Sequence, residues 1–301
     1  MRQPWPTPRV WRLSHILPKI THSRSFSISP AQQYRPLETL ENATLETFQQ
    51  KCFHPERPAI LPRAEFQELP ALKHWFRSSQ HEPDTKENVH IASLNVGYLQ
   101  KHGADAFVPL ELTESLDSNP QSDAPGAQTT SFRQFHAPLT LFLDWMRMAE
   151  STPQLTRLYL AQCQLLDLPP ILRADFPTPD LVSRAGKGDV YDTNLAGQKV
   201  VRLLAPADGQ VVFGAVRRQL GKSGDREAAA IRGEEMMQGR ERVLLDETVW
   251  GSPVSAGGDW NGVGFEARLG VGDGLFIPKG WWHSIKGVGE GVTASVNWWF
   301  R

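Results

Sequence analysis

The sequence is poor in cysteine. Cys52 and Cys163 are the only two in 301 residues, and no C-x-x-C pair exists. That argues against a disulfide framework and a thiolate zinc site; both read as buried free thiols, with a disulfide or a nucleophile as the other readings. Metal-binding histidine strings are equally scarce. His54-Pro55-Glu56 is the single His-x-Asp/Glu string, and its setting reads as a surface turn. No apolar run approaches the roughly 20 residues that a membrane-crossing helix needs. Acidic residues are missing before Glu38, where Arg2, Arg9, Arg12, Lys19, Arg24 and Arg35 are all basic. Taking those six from the 32 basic residues leaves 26 against 33 acidic ones, a net of about −7 for the rest. That body has no basic stripe of the kind nucleic-acid binding uses, which argues against DNA and leaves RNA open.

The acid-poor start has the composition of a mitochondrial transit peptide. Trp11, Leu13, Ile16, Leu17 and Ile20 recur at helical spacing, with Arg12, His15 and Lys19 between them. Arg24-Ser25-Phe26-Ser27 resembles a matrix-protease cleavage site. Residues 1–30 are therefore expected to be an address to the mitochondrial matrix. The other reading is a disordered basic tail, since Pro4, Pro6 and Pro8 break any helix at the start.

Residues 31–150 read as a mainly helical region. Leu40, Ala43, Leu45 and Phe48 predict a helix over Leu37–Phe53. Arg57–Leu61 reads as a short strand, Leu69–Phe76 as a short helix and Val89–Tyr98 as a strand. Residues 115–130 are rich in Ser, Asp, Asn, Pro, Gly and Gln and read as a mobile surface loop. Leu139, Phe142, Leu143 and Met146 predict a helix over Leu139–Ala149. Leu155–Leu166 is strand-like and is expected to open a barrel. Arg226–Val249, free of proline, predicts a helix that either covers the barrel or forms a homodimer contact. Ser252–Gly264 is a glycine-rich loop.

The C-terminal stretch is compact strand and turn. Gly272-Asp273-Gly274 and Pro278-Lys279-Gly280 are turn signals, and His283 heads the strand that follows. In the last strand, period two puts Thr293, Ser295 and Asn297 on one face. Val292, Ala294, Val296 and Trp298 take the other. A polar face beside a histidine-bearing strand suits a barrel with a polar lumen.

Gly270–Ile285, with its Gly-Asp-x-Leu-Phe-Ile-Pro-x-x-Trp-Trp-His order, and Val296-Asn297-Trp298-Trp299-Phe300 together resemble the end of the JmjC hydroxylases of the asparaginyl-hydroxylase type. Phe48–Leu61, Leu158–Gln162 and Gly197–Pro206 resemble other parts of that family. The resemblance implies a mainly β fold with a helical N-terminal part, α+β overall. Its core would be a double-stranded β-helix (cupin, or jelly roll) over residues 151–301, with a helical insert at 226–249. It also implies an oxygenase using Fe(II) and 2-oxoglutarate. His283 matches an iron ligand. Lys199 matches the lysine that pairs with the far carboxylate of 2-oxoglutarate. Tyr159 and Asn297 match side chains that hydrogen-bond this cosubstrate. No side chain is read as a catalytic acid, base or nucleophile.

The sequence departs from that family at one point. His-x-Asp, which supplies the other two iron ligands, belongs between Tyr191-Asp192-Thr193-Asn194 and Leu195-Ala196-Gly197-Gln198-Lys199, and here the two strings abut. The missing block is about two strands, roughly 20 residues. Asp189 and Asp192 lie nearby, but no histidine accompanies them. Two readings follow: a hydroxylase of protein or RNA side groups whose iron-binding segment is absent from this form, or a pseudo-oxygenase that serves as a binding or scaffold protein.

Overall fold

The computed structural model describes residues 12–14, 34–79, 91–115, 130–152, 156–185, 190–224, 239–251 and 263–299. Its strands are β1 (Arg12–Ser14), β2 (Tyr34–Pro36), β3 (Ala59–Leu61), β4 (Phe76–Ser79), β5 (Ile91–Leu94), β6 (Phe107–Ser115) and β7 (Thr130–Pro138), then β8 (Thr156–Leu160), β9 (Val190–Ala196), β10 (Gln198–Leu204), β11 (Gly264–Leu269), β12 (Gly274–Ile277), β13 (Trp282–Val288) and β14 (Thr293–Trp299). The helices are α1 (Leu45–Phe48), α2 (Pro70–His74), α3 (Val96–Gly103), α4 (Leu139–Ser151), α5 (Pro170–Ala174), α6 (Asp180–Ala185), α7 (Pro206–Gln219) and α8 (Gly239–Trp250).

Two sheets form the centre. One has the order β1-β14-β9-β12-β3, the other β13-β10-β11-β2. The six strands from β9 to β14 divide equally between them: β9, β12 and β14 in the first, β10, β11 and β13 in the second. A jelly roll of the cupin kind has about eight strands. Six from this part of the chain accord with a jelly roll short of two. The junction Asn194–Leu195 falls inside β9, where the register with β14 shifts: Asn194 pairs with Ser295 and Ala196 with Ala294.

The period-two pattern of β14 dictates which layer each residue joins. Val292, Ala294, Val296 and Trp298 enter the larger apolar core, together with Phe48 of α1, Leu99 of α3 and Leu143 of α4. Thr293, Ser295 and Asn297 are buried as well, on the face turned to the second sheet. That inner space holds a smaller core of Val201, Leu203, Ala267, Leu269, Leu275 and Ile277, drawn from both sheets. The first sheet is thus buried on both faces. On its outer side Phe276 meets Phe48 edge-on at 4.9 Å and Tyr191 at 5.2 Å between ring centroids.

Several predicted elements change extent. The helix expected over Leu37–Phe53 begins only at Leu45, after the N-cap of Thr44, and ends in a π-helical turn over Gln49–Phe53. Leu37–Leu40 is instead held extended, because Leu40 N–H donates to the Ile60 carbonyl at 2.9 Å and Ile60 N–H to the Glu38 carbonyl at 3.1 Å. Tertiary pairing overrides local propensity there. The strand expected over Val89–Tyr98 is seen at Ile91–Leu94, and Val96 already opens α3. Leu139–Ser151 is helical, as the spacing predicts. A long antiparallel hairpin, β6 with β7, lies within the stretch read as mainly helical.

The strand-like Leu155–Leu166 shortens to β8. It pairs with β6, making a three-stranded sheet β7-β6-β8 apart from the two central ones. Of the helix expected over Arg226–Val249, residues 226–238 lie outside the described residues, and α8 supplies the remainder. Residues 116–129 of the expected loop lie outside them too, as do residues 252–262 and the Arg24–Ser27 string. Within the first 30 residues, Arg12–Ser14 pairs with the edge of β14.

Asp175 ties the helical region together. It is buried beside the end of α5, and its carboxylate accepts from Trp75 Nε1 and Tyr98 Oη, each at 2.8 Å. His74 Nδ1 lies 2.6 Å from its other oxygen. Burial, the bond to Asp175 and that carboxylate's charge push the Tyr98 phenol up to about 12.

Candidate functional site

The site grows from the crossing between the two central sheets. β9 ends at Ala196 in the first sheet and β10 begins at Gln198 in the second. A single residue, Gly197, makes the passage with φ +66°. A Cβ there would stand 2.5 Å from the Val292 carbonyl oxygen, so the turn requires glycine on two counts. The Asn194 amide donates to the Gly197 carbonyl at 2.7 Å and fixes the turn from within. The chain thereby doubles back, and two residues seven apart face each other across the inner space.

Those residues are Asp192 and Lys199. Their side chains form an ion pair, and each is only 2% exposed. Asp192 lies opposite Asn297 in the β9–β14 register. With its nitrogen turned to the carboxylate, the Asn297 amide donates to Asp192 Oδ2 and to the Val296 carbonyl. Asn194 and Ser295, the next inward pair on the same strands, are both buried. The Asn194 side-chain oxygen has no hydrogen-bond partner among the described residues. Opposite this polar group, Leu275 of β12 pairs with Asp192 in register and closes the pocket toward the apolar core.

His283 lies on β13, directly opposite Leu203 of β10. Its neighbours Trp282 and Ser284 face away from the lumen: Trp282 packs on Phe213 of α7, and Ser284 accepts from Trp250 Nε1 of α8 at 2.8 Å. Alternation then turns His283 inward, on the face it shares with Ile285, which packs against the inner core. Lys199 pairs with Gly287 on the same face. Four residues separate the two levels, roughly 13 Å along the strand.

The structure therefore brings Lys199 and Asn297 together around Asp192 and puts His283 on the same inner surface at another level. Tyr159 is elsewhere. It sits in β8, opposite Glu111 of β6, and packs against the larger apolar core. His54 and Glu56 occupy a turn, where Glu56 takes a positive φ of 51° and its carbonyl accepts from Trp281 Nε1.

Asp192 is the residue whose role sequence reasoning missed. Its signal was present, as a lone acid just before the junction. Its meaning depends on the register that the abutted strings create.

The groups implied by the resemblance can be tested against these side chains. Iron held by the family's pattern needs two further ligands beside His283. Among the described residues, no group of three His, Cys, Asp or Glu side chains stands close enough to hold a metal ion. The lysine that would meet a cosubstrate carboxylate already meets Asp192. Neither Fe(II) nor 2-oxoglutarate fits the donors as they are arranged here.

Comparison with known proteins agrees with the fold. A family model described as "Cupin-like domain" matches residues 261–301, the stretch that holds β11 to β14. The chain is also similar to a Drosophila melanogaster protein named "Jumonji C domain-containing protein 5", 25% identical over 271 residues. That match covers 86% of this chain but 59% of the relative, so the chain spans about three-fifths of that protein's length. No helix among the described residues is long and apolar enough to cross a membrane. The paired sheets, the cupin match over their last strands and the likeness to a Jumonji C protein support reading this chain as a JmjC-type cupin-domain protein.

Proposed function

We propose that the chain comes from a JmjC-type hydroxylase dependent on Fe(II) and 2-oxoglutarate, and that the 301-residue form is not itself the catalytic species. In that lineage iron and cosubstrate, when bound, would activate O2, one oxygen atom going to a C–H bond of a protein or RNA side group and the other to 2-oxoglutarate, which becomes succinate and CO2. The strings that flank the junction support the lineage, since Lys199, His283 and Asn297 line one inner surface.

One observation carries the second half of the proposal. The buried Lys199 ammonium, the cation that would receive the far carboxylate of 2-oxoglutarate, is paired with Asp192 of the same chain. Residues 1–30 further suggest a mitochondrial matrix location, which disfavours histones as substrates.

The test combines transcript sequencing across the Asn194–Leu195 junction with a cosubstrate assay. A longer in-frame product carrying His-x-Asp is expected, with succinate release from the longer protein and none from the 301-residue form. Succinate release by the 301-residue protein would overturn the proposal. If every transcript has the junction as written, the same ion pair favours the other reading, a pseudo-oxygenase acting as a binding or scaffold protein.

A further inference from the structure

The polar cluster between the sheets has the parts of an anion site. Lys199 supplies a cation 2% exposed to solvent, and Asn297 supplies an amide donor. Taking a lysine and a carboxylate out of water costs more than their attraction returns, unless further hydrogen bonds complete the set. Here the amide of Asn297 meets the second carboxylate oxygen, so both oxygens of Asp192 are engaged. Such two-point engagement, by one ammonium and one amide, is how a buried carboxylate is recognised.

We propose that Asp192 is a tethered occupant of a carboxylate-binding site, which this chain fills with its own side chain. The register explains how it arrives there. β9 pairs regularly with β14 from Val190 to Asn194, before the register shifts at Leu195, so period two aims Asp192 at the lumen opposite Asn297. The crossing at Gly197 then returns Lys199 to the same place from the other sheet. The ligand class that fits when the Asp192 head group is removed is a small free carboxylate: acetate, succinate or 2-oxoglutarate. Each offers the same carboxylate head group with its pair of oxygens, acetate as a monoanion and the other two as dianions. The inference rests on reading Lys199 as a carboxylate-pairing cation, and it names what holds that cation.

The test is thermal unfolding of wild type, Asp192→Ala and Asp192→Asn without added metal. Sodium acetate, succinate and 2-oxoglutarate are compared with sodium chloride at matched ionic strength. In Asp192→Ala the carboxylates are expected to raise Tm in a saturating manner, by roughly 3 °C at ten times the dissociation constant. Chloride should not do so. Wild type and the double variant Asp192→Ala/Lys199→Met should show no carboxylate-specific rise. A response of Asp192→Ala no larger to carboxylate than to chloride would overturn the proposal, as would an equal rise in wild type. Asp192→Asn keeps the head group in place and removes its charge, so it too should show no carboxylate-specific rise. If Asp192→Ala gives no cooperative transition in any salt, Asp192→Ser, which also removes the carboxylate head group, is decisive in the same way. Succinate release by the wild-type protein sinks the functional reading; absence of the carboxylate response in Asp192→Ala sinks this one.

Discussion

A buried ammonium group leaves its neighbours few options. Lys199 is held by Asp192 in a pocket that solvent barely reaches, so removing either partner alone strands a charge. Lys199→Met is expected to lower stability by about 3–5 kcal/mol, while Lys199→Met/Asp192→Leu recovers most of that loss. Urea unfolding of the two variants measures the difference. Equal losses in both would mean that packing, rather than the stranded charge, sets the cost. At this scale the sequence was legible where a residue type sits inside a long ordered string. Lys199, His283 and Asn297 all face the lumen that their strings imply. Asp192 was not legible, because its partner is fixed by a strand register that only the abutted strings produce. Tyr159 was assigned through a five-residue string, too short to specify which sheet its strand would join.

Elements show the same division. α4 follows from four apolar residues at helical spacing, and β14 from strict alternation. The β6–β7 hairpin went unread although Val108, Leu110 and Leu112 alternate in its first strand. Pro109 sits among them, and proline usually argues against a strand interior. The start of α1 was misplaced because Glu38 and Leu40 find their backbone partner about 20 residues further on in sequence, at Ile60 of β3, and Leu37 finds its own at Glu266 of β11. The most demanding joint is the one-residue passage between β9 and β10. Gly197→Ala forces a side chain into the left-handed region and against the Val292 carbonyl. A loss of about 2 kcal/mol or more is expected, read from the urea midpoint. A midpoint unchanged from wild type would show that the crossing does not need glycine.

Across the whole molecule, two apolar cores share one sheet, and burial reaches several ionisable groups at once. Tyr34 and Cys163 are each pushed up to about 12, chiefly by burial, as Tyr98 is. Their ordinary values are 10.0 for the phenols and 9.0 for the thiol. The folded protein holds these protons more tightly than the unfolded chain, so their contribution is full below pH 9. It is lost as pH rises from there to about 12. The unfolding temperature is expected to fall steadily between pH 9 and 11, and a flat profile over that range would contradict the burial of these groups. The address proposed for residues 1–30 bears on the same architecture. Cleavage after that stretch would remove Arg12–Ser14 from the edge of β14, so N-terminal sequencing of the cellular protein also decides whether that edge is covered.

The bulge in β9 has a further consequence. Asn194 pairs with Ser295 of β14 and bonds to the Gly272–Asp273 turn, while Leu195 is the residue passed over where the register with β14 shifts. Extra residues placed between them would enter where the pairing is already interrupted. A longer product with a block of about two strands there would divide this strand at its bulge and separate Asp192 from Lys199 along the chain. Long and short products would then be two different weavings of shared sequence, rather than one scaffold with and without an attachment. The choice between them would be made when the message is assembled, before folding begins.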